Sequence, residues 1–314
     1  MRISEKEILN IALSHCFFLR GKEKLLLSKK IKTLKEFTAL SVWDISEVIG
    51  RRLRTKYESE QMNKLCDTAV KIMEMFDIRS VSFDEENFPP LLREIPDPPF
   101  TVFYRGVLPN PEKAAVAIVG TRHPSGEAIQ VAFSLGKECA EVGIPTVSGL
   151  AYGIDTYSHR GYLEPEKEQT SAVAVLACSP ERIYPKSNKR LAAKILESGG
   201  CILSEYPPET EPLAFRFPER NRIISGLSRS VVVVEAPKKS GALITADFAL
   251  EQGRDVYVCS RVLHSIQNEG GKNLAEQGAP AITGIKDVLS DWQLYPNKNK
   301  IGNKQNELFI NSSL

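Results

Sequence analysis

Residues 116–125, which read VAIVGTRHPS, decide the fold class of this chain. Four apolar residues followed by a glycine and polar residues are typical of a buried strand that turns into a helix. Further apolar runs follow at a regular interval, with amphipathic segments between them, at residues 144–147, 172–176, 202–203, 231–234 and 256–258. This alternation predicts an α/β fold with a mostly parallel sheet and helices on both faces.

The composition is that of a folded cytoplasmic protein. The chain has 314 residues, of which 42% are hydrophobic, and this is enough for a sizeable core. Six cysteines are scattered without close pairs, so we expect reduced core residues and a cytoplasmic location. No apolar run is long enough to span a bilayer, and the first seven residues lack a signal-peptide core. The net charge of +2 does not exclude a local basic cluster.

The chain divides into three predicted parts. Residues 1–78 carry apolar side chains at helical spacing, which predicts a helical N-terminal domain that is helix-hairpin-helix-like or SAM-like. Its segment 48–52 could hold a phosphate on backbone N–H groups, although a plain glycine-ended helix is the preferred interpretation. Residues 79–290 hold the strand pattern, and residues 291–314 predict a polar, disordered C-terminal tail. The proline-rich segment 88–99 predicts an extended connection instead of a helix or a central strand.

Unusual loops follow the predicted strands. Ligands of parallel α/β sheets bind at the carboxyl ends of the strands, so these loops are where a site is expected. Small residues and hydroxyls recur in them, at residues 120–126, 148–155, 184–188, 204–208 and 235–246. Any one of these loops alone fits an ordinary turn, but five on one sheet edge predict a phosphate site built on helix-terminal N–H groups. Two basic residues of these loops, Arg122 and Lys186, are expected to add charge to that site.

The segment 217–228 (FPERNRIISGLS) concentrates positive charge beside an aromatic residue. Its proline suits a first helical turn, Arg220 and Arg222 match a phosphate, and Phe217 offers a stacking surface for a base. Together these features predict binding of single-stranded nucleic acid. The alternative is an amphipathic helix with solvated arginines, in which Phe217 staples the helix to the core.

Several kinds of chemistry are disfavoured by missing motifs. Residues 270–273 (GGKN) do not complete a phosphate-binding loop, and no GxGxxG opens the first helix. The four histidines lie far apart and no CxxC occurs, so we expect no metal and no cofactor. His159 and Asp155 have helical i, i+4 spacing. They form either a catalytic base with its partner or, as we favour, a structural hydrogen bond.

These motifs, in this order, resemble the DNA-processing protein A family (DprA, also called Smf). The matching segments lie at residues 116–125, 148–159, 184–188, 204–208, 217–228 and 233–246, within a likeness that covers about residues 80–285. The resemblance implies an extended Rossmann-like domain, usually dimeric, that binds single-stranded DNA in a basic pocket without catalysis. It also implies protection of incoming DNA during natural transformation and loading of the RecA recombinase.

The DNA-binding residues follow from the same resemblance. Arg122 is expected to be a phosphate ligand, and Lys186 a second basic contact. The other positions expected to bind DNA are Ser148, Gly149, Phe217, Arg220, Asn221, Arg222, Ser240, Gly241 and Thr245.

Two departures from the family and two alternative functions remain. Val258 is not followed by the Pro-Gly turn usual in the family, and we expect no C-terminal winged-helix domain, since about twenty polar residues follow Trp292.

The first alternative function is a nucleotide phosphoribohydrolase-like enzyme of a related fold. Residues 240–247 lack that family's glycine pair and glutamate, which leaves only Asp247 as a carboxylate. The second alternative is a module that senses a mononucleotide.

Overall fold

The helical segment comes first in the structure. The computed structural model describes residues 3–55, 58–165 and 171–293, so the predicted tail lies outside the described residues from position 294 onward. The segment consists of α1 (Glu5–His15), α2 (Gly21–Lys30), α3 (Leu34–Thr38), α4 (Val42–Ile49) and α5 (Ser59–Phe76). Ser4, Thr33 and Ser41 each accept a hydrogen bond from the backbone N–H three residues on. These caps satisfy donors that the first turn of a helix leaves free.

One sheet organises the rest of the described chain. Its first part is β1 (Arg79–Ser82), α6 (Pro90–Arg93) and β2 (Thr101–Gly106). The later strands are β3 (Val116–Val119), β4 (Thr146–Ser148), β5 (Ala172–Val175), β6 (Cys201–Ser204), β7 (Ser230–Val233), β8 (Asp255–Cys259) and β9 (Ala281–Ile282). Within the described residues the strand order is β1-β2-β6-β5-β4-β3-β7-β8-β9. β2 pairs antiparallel with β1 and β6, and the other pairs are parallel.

Helices cover both faces of this sheet. They are α7 (Gly126–Val142), α8 (Ile154–Tyr162), α9 (Lys189–Glu197), α10 (Arg216–Gly226), α11 (Gly241–Glu251), α12 (Glu269–Glu276) and α13 (Ile285–Asp291). Successive side chains of a strand point to opposite faces. Val116 and Ile118 accordingly join the core under α7, α8 and α13, while Ala117 and Val119 join the core under α10, α11 and α12. The predicted fold class is confirmed.

The helical segment has a core of its own that reaches the sheet. Apolar residues of α1 to α5 pack together with Ile78, Phe100 and Phe103, the last of which lies on β2. The predicted boundary at residue 78 therefore stays a prediction, because the two parts share buried side chains. None of the helices in the described part of the chain is long and apolar enough to cross a membrane.

The proline-rich connection was predicted wrongly in part. Residues 90–93 form the short helix α6, because Pro90 occupies the first helical turn, where a missing N–H costs nothing. β1 and β2 were not predicted, although β2 extends the sheet through antiparallel pairing with β6. Pairing with a distant strand, not local alternation, determines these elements.

Candidate functional site

The candidate site lies where the strand order reverses. β3 pairs with β4 on one side and β7 on the other, so successive connections leave the sheet in opposite directions and open a crevice at the strand ends. This crevice, termed here the main cleft, has a volume of about 650 Å³. It is bounded by the segments that follow β3 and β7 and by the start of α10.

An arginine and two aromatic rings form one wall of the main cleft. The guanidinium carbon of Arg122 lies 5.2 Å from the ring centroid of Phe217. The ring of Tyr184 meets Phe217 edge-on, with centroids 5.6 Å apart at 61°, and is 45% exposed. The cation–π contact holds Arg122 over the ring while leaving its N–H groups available. This wall can bind a phosphate and stack a base.

The start of α11 forms another wall. The hydroxyl of Ser240 accepts a hydrogen bond from the backbone N–H of Ala242 at 3.3 Å, and Asn221 Nδ2 donates to the carbonyl of Gly241 at 3.1 Å. The first turn of α11 has no acidic side chain, so its free N–H groups are not neutralised locally. Lys239, which is exposed, lines the main cleft beside this helix start. An anion is therefore favoured here.

Arg220 forms part of the floor of the main cleft. Only 4% of it is exposed, and its Nη1 donates to the carbonyl of Gly149 at 2.8 Å and to the carbonyl of Val175. These two carbonyls belong to the ends of β4 and β5, so Arg220 ties α10 to two strand ends. Burial lowers its pKa, and the charge of Asp155 opposes that shift.

Asp155 and His159 do not form the predicted hydrogen bond. Oδ2 of Asp155 instead accepts hydrogen bonds from the backbone N–H groups of Gly149 at 3.1 Å and Ala151 at 3.4 Å. Both ring nitrogens of His159 are buried and have no hydrogen-bond partner among the described residues, and burial lowers its pKa to about 4. The prediction was wrong because α8 turns His159 into the core, while Asp155 closes the loop before α8. Burial also raises the pKa of Asp155, and Arg220 and the two N–H groups oppose that shift.

Arg222 is separated from the other predicted residues. It points to a second cleft of about 380 Å³ between α2 and the sheet domain, termed here the side cleft. Its guanidinium binds both carboxylate oxygens of Glu205 at 2.6 Å and also contacts Asp97 at 3.1 Å. The charge of Arg222 is thus largely balanced by two carboxylates, unlike that of Arg122.

The remaining predicted residues lie at different depths. Thr245 lines the main cleft. Ser148 is fully buried and donates to the carbonyl of Ile118 at 2.7 Å, so it joins β3 to β4. A side chain at Gly149 would come within 2.6 Å of the Arg220 guanidinium and 2.7 Å of the Asp155 carboxylate, so it would displace both groups from the floor of the cleft. Lys186 is exposed on the short turn before α9 and does not belong to the described lining of the main cleft.

Some lining residues were not predicted. Lys239, Tyr184 and His123 all line the main cleft. The one feature of the sequence that could have identified them is their position, because each lies in a loop that follows a strand. Glu235 was also missed as an organising residue. Its buried carboxylate accepts hydrogen bonds from the N–H and hydroxyl of Ser125, at 2.7 and 2.9 Å, which ties the loop before α7 to β7.

The charge balance of the main cleft is positive. Among the described residues that line it, the basic side chains are Arg122, Arg220 and Lys239, and the one acidic side chain is Asp155. Since Asp155 is already engaged by backbone N–H groups, Arg122 and Lys239 face the cleft without a competing carboxylate in its lining.

Comparison with known proteins identifies the family. The sequence profile of DNA recombination-mediator protein A matches residues 79–293, which is more than half of the chain. The chain belongs to this family. The matched region contains all nine described strands, and the five helices α1 to α5 precede it.

Individual members of the DNA recombination-mediator protein A family agree with this assignment. The DNA processing protein DprA of Bacillus subtilis is 40% identical over 215 residues, covering 68% of this chain and 71% of that protein. The crystal structure of DNA processing protein A from Streptococcus pneumoniae superposes with a TM-score of 0.70 at 31% identity, over 92% of this chain and 98% of that one. The protein from Helicobacter pylori, known for a single-stranded DNA binding mode, gives a TM-score of 0.60 at 28% identity, over 69% and 96% of the two chains.

Proposed function

We propose that this protein binds single-stranded DNA in the main cleft and acts in DNA processing during natural transformation. The observation that carries the proposal is the wall on which Arg122 lies over Phe217, beside the start of α11. Cations with few competing carboxylates bind the backbone, and exposed rings accept bases of any sequence. The relative from Helicobacter pylori, which binds single-stranded DNA, supports the same function.

The contacts divide into direct and supporting ones. Arg122, Lys239 and the start of α11 with Ser240 and Gly241 would contact phosphates, while Thr245, which is only 1% exposed, would support this wall from within α11. Phe217 and Tyr184 would stack bases, and Asn221 would orient the helix start. Arg220, Ser148 and Gly149 would shape the floor, while Lys186 and Arg222 would act at the periphery.

We propose that the protein is not an enzyme. The alternative, a phosphoribohydrolase-like activity, needs a carboxylate free to act on a ribose. Oδ2 of Asp155 already accepts hydrogen bonds from two backbone N–H groups. Asp247 is exposed on α11 and does not belong to the described lining of the main cleft. This arrangement supports binding over hydrolysis.

A competition experiment tests the proposal. Unlabelled single-stranded DNA should displace a labelled oligo-dT from the protein, and a blunt duplex of the same length should do so much less well, because its bases are not free to stack. Equal displacement by the duplex would contradict the single-strand preference. Release of adenine from AMP by the purified protein would support the hydrolase alternative instead.

Three finer parts of the proposal rest on family membership. They are loading of RecA onto the bound strand, assembly as a homodimer and a cytoplasmic location. All six cysteines are free and buried, which supports a reducing compartment. Light scattering coupled to size exclusion should give twice the 34.9 kDa of the chain, and a mass of one chain at micromolar concentration would contradict the dimer.

A further inference from the structure

An aromatic ridge lies at the rim of the main cleft. Phe215, the residue before α10, is 57% exposed, and Phe17, in the loop between α1 and α2, is 53% exposed. The guanidinium of Arg216 lies between them, 5.5 Å from the ring centroid of Phe215 and 4.9 Å from that of Phe17. Two half-exposed rings that contact the same cation offer a continuous surface on which bases can stack.

Arg216 makes this ridge rigid. It is 7% exposed, and its guanidinium also lies 4.9 Å from the ring centroid of the buried Tyr206. Tyr206 in turn donates a hydrogen bond to Glu219 on α10 at 2.9 Å. One buried cation therefore holds rings from the helical segment and from the sheet domain in a fixed arrangement, which lowers the entropy cost of stacking on them.

The ridge is continuous with the main cleft. Ala214 and Phe217 line that cleft, and Phe215 lies between them in sequence but projects to solvent. Phe17 lines the side cleft on the other side of the ridge. A strand that leaves the main cleft past Ala214 would meet Phe215 first and then Phe17, whose ring contacts the same guanidinium.

The side cleft next to the ridge has a balanced charge. The described residues that line the side cleft include three basic residues (Arg20, Lys24 and Arg222) and three acidic ones (Asp97, Glu205 and Glu219). This balance gives no net attraction for a phosphate backbone, whereas the exposed rings accept any base.

We propose that Phe215 and Phe17 form a second stacking station for single-stranded DNA, through which the helical N-terminal segment contacts the bound strand. The proposal rests on the proposed function of the main cleft. The occupant is the continuation of the strand held there, because the ridge begins at the rim of that cleft.

The experiment compares oligonucleotide lengths. Affinities of Phe17→Ala and Phe215→Ala are measured against oligo-dT from about 4 to about 16 nucleotides, a range typical of single-strand sites. Each variant should bind the long oligonucleotides about fivefold or more weakly, bind the shortest normally, and keep the wild-type salt slope. Trp43→Ala, which removes an aromatic side chain that is 72% exposed on α4, is the matched control and should change nothing.

A fluorescent variant gives a readout that folding defects do not imitate. Phe215→Trp should bind the long oligonucleotides at least as well as wild type, and its added fluorescence should be quenched by long but not by the shortest ones. Loss of affinity at every length, or none in either alanine variant, would overturn the stacking station alone. Failure of wild type to bind any oligonucleotide would overturn the proposed function as well.

Discussion

Arg122, Arg220 and Arg222 show how one residue type takes three roles within a small volume. Arg122 is exposed over Phe217, Arg220 is buried on backbone carbonyls, and Arg222 is held by Glu205 and Asp97. The sequence predicted all three as phosphate contacts because a guanidinium suits each role. It could not predict their burial or partners, because Glu205 and Gly149 lie distant in the chain and are brought near only by the sheet.

Replacement of Arg220 should affect stability more than any other arginine at the cleft. Arg220→Ala removes two charge-assisted hydrogen bonds to strand ends and leaves Asp155 buried without its nearest positive charge. We expect the free energy of unfolding to fall by about 2–4 kcal/mol. Urea denaturation measures this fall, and Arg122→Ala, an exposed site, should change the midpoint little. An unfolding free energy for Arg220→Ala equal to that of wild type would contradict the role as a brace.

At the scale of elements, the loop before α11 separates two adjacent lysines. Lys238 forms a salt bridge with Glu269 at 3.0 Å, whereas Lys239 lines the main cleft. Ser240 then caps the helix. The loop therefore presents one lysine of the pair to a ligand.

This difference predicts unequal effects on DNA binding. Lys239→Ala should lower the slope of log affinity against log salt by roughly 0.7, the value for one phosphate contact on a single strand. Lys238→Ala is a control of identical chemistry one residue away and should leave the slope close to that of wild type. A salt titration of oligo-dT binding measures both, and equal slopes for the two variants would argue against this placement of the helix start.

The elements that sequence predicted best are those with local causes. Six of the seven described strands that pair in parallel, β3 to β8, were predicted from apolar runs, because they are largely buried on both faces. The two-residue strand β9 was not predicted. β1 and β2 escaped prediction because they depend on antiparallel pairing at the sheet edge, and α6 because two prolines obscured its start. The reversal of strand order at β3, where the main cleft opens, could not be predicted from the sequence and became clear only from the strand order of the sheet.

At the scale of the whole molecule, the site could be predicted in kind but not in detail. A net charge of +2 conceals a cleft whose lining, within the described part of the chain, has three basic residues and one acidic residue. The strand-end loops identified the sheet edge at which the main cleft lies. Which of their side chains face the cleft depends on packing across segments more than 90 residues apart, such as Arg122 and Phe217.

The fold should lose stability in mild acid through His159. Its pKa is lowered by burial from 6.5 to about 4, so between these values the unfolded state binds more protons than the folded state. The free energy of unfolding therefore falls as the pH drops from about 6.5 to about 4, by up to about 3 kcal/mol from this group.

The variant His159→Leu isolates this contribution. Asp155, whose pKa is raised, has the opposite sign, so the pH dependence of the variant must be compared with that of wild type. His159→Leu should show a smaller loss of unfolding free energy than wild type over this pH range. At pH 7, where His159 is largely neutral in both states, the difference in unfolding free energy between the two proteins gives the effect of the substitution on packing alone. Parallel pH profiles for the two proteins would show that His159 does not titrate as a buried neutral group.

The most direct test of the central claim is a salt titration of oligo-dT binding for wild type and Arg122→Ala. Wild type should bind tightly at low salt and weaken steeply, and Arg122→Ala should give a slope smaller by roughly 0.7 with an unchanged unfolding midpoint. Arg229→Ala, which removes an exposed arginine at the start of β7 on the opposite sheet edge, should keep the wild-type slope. Absence of binding by wild type, or identical slopes for all three proteins, would contradict the assignment of the main cleft to single-stranded DNA.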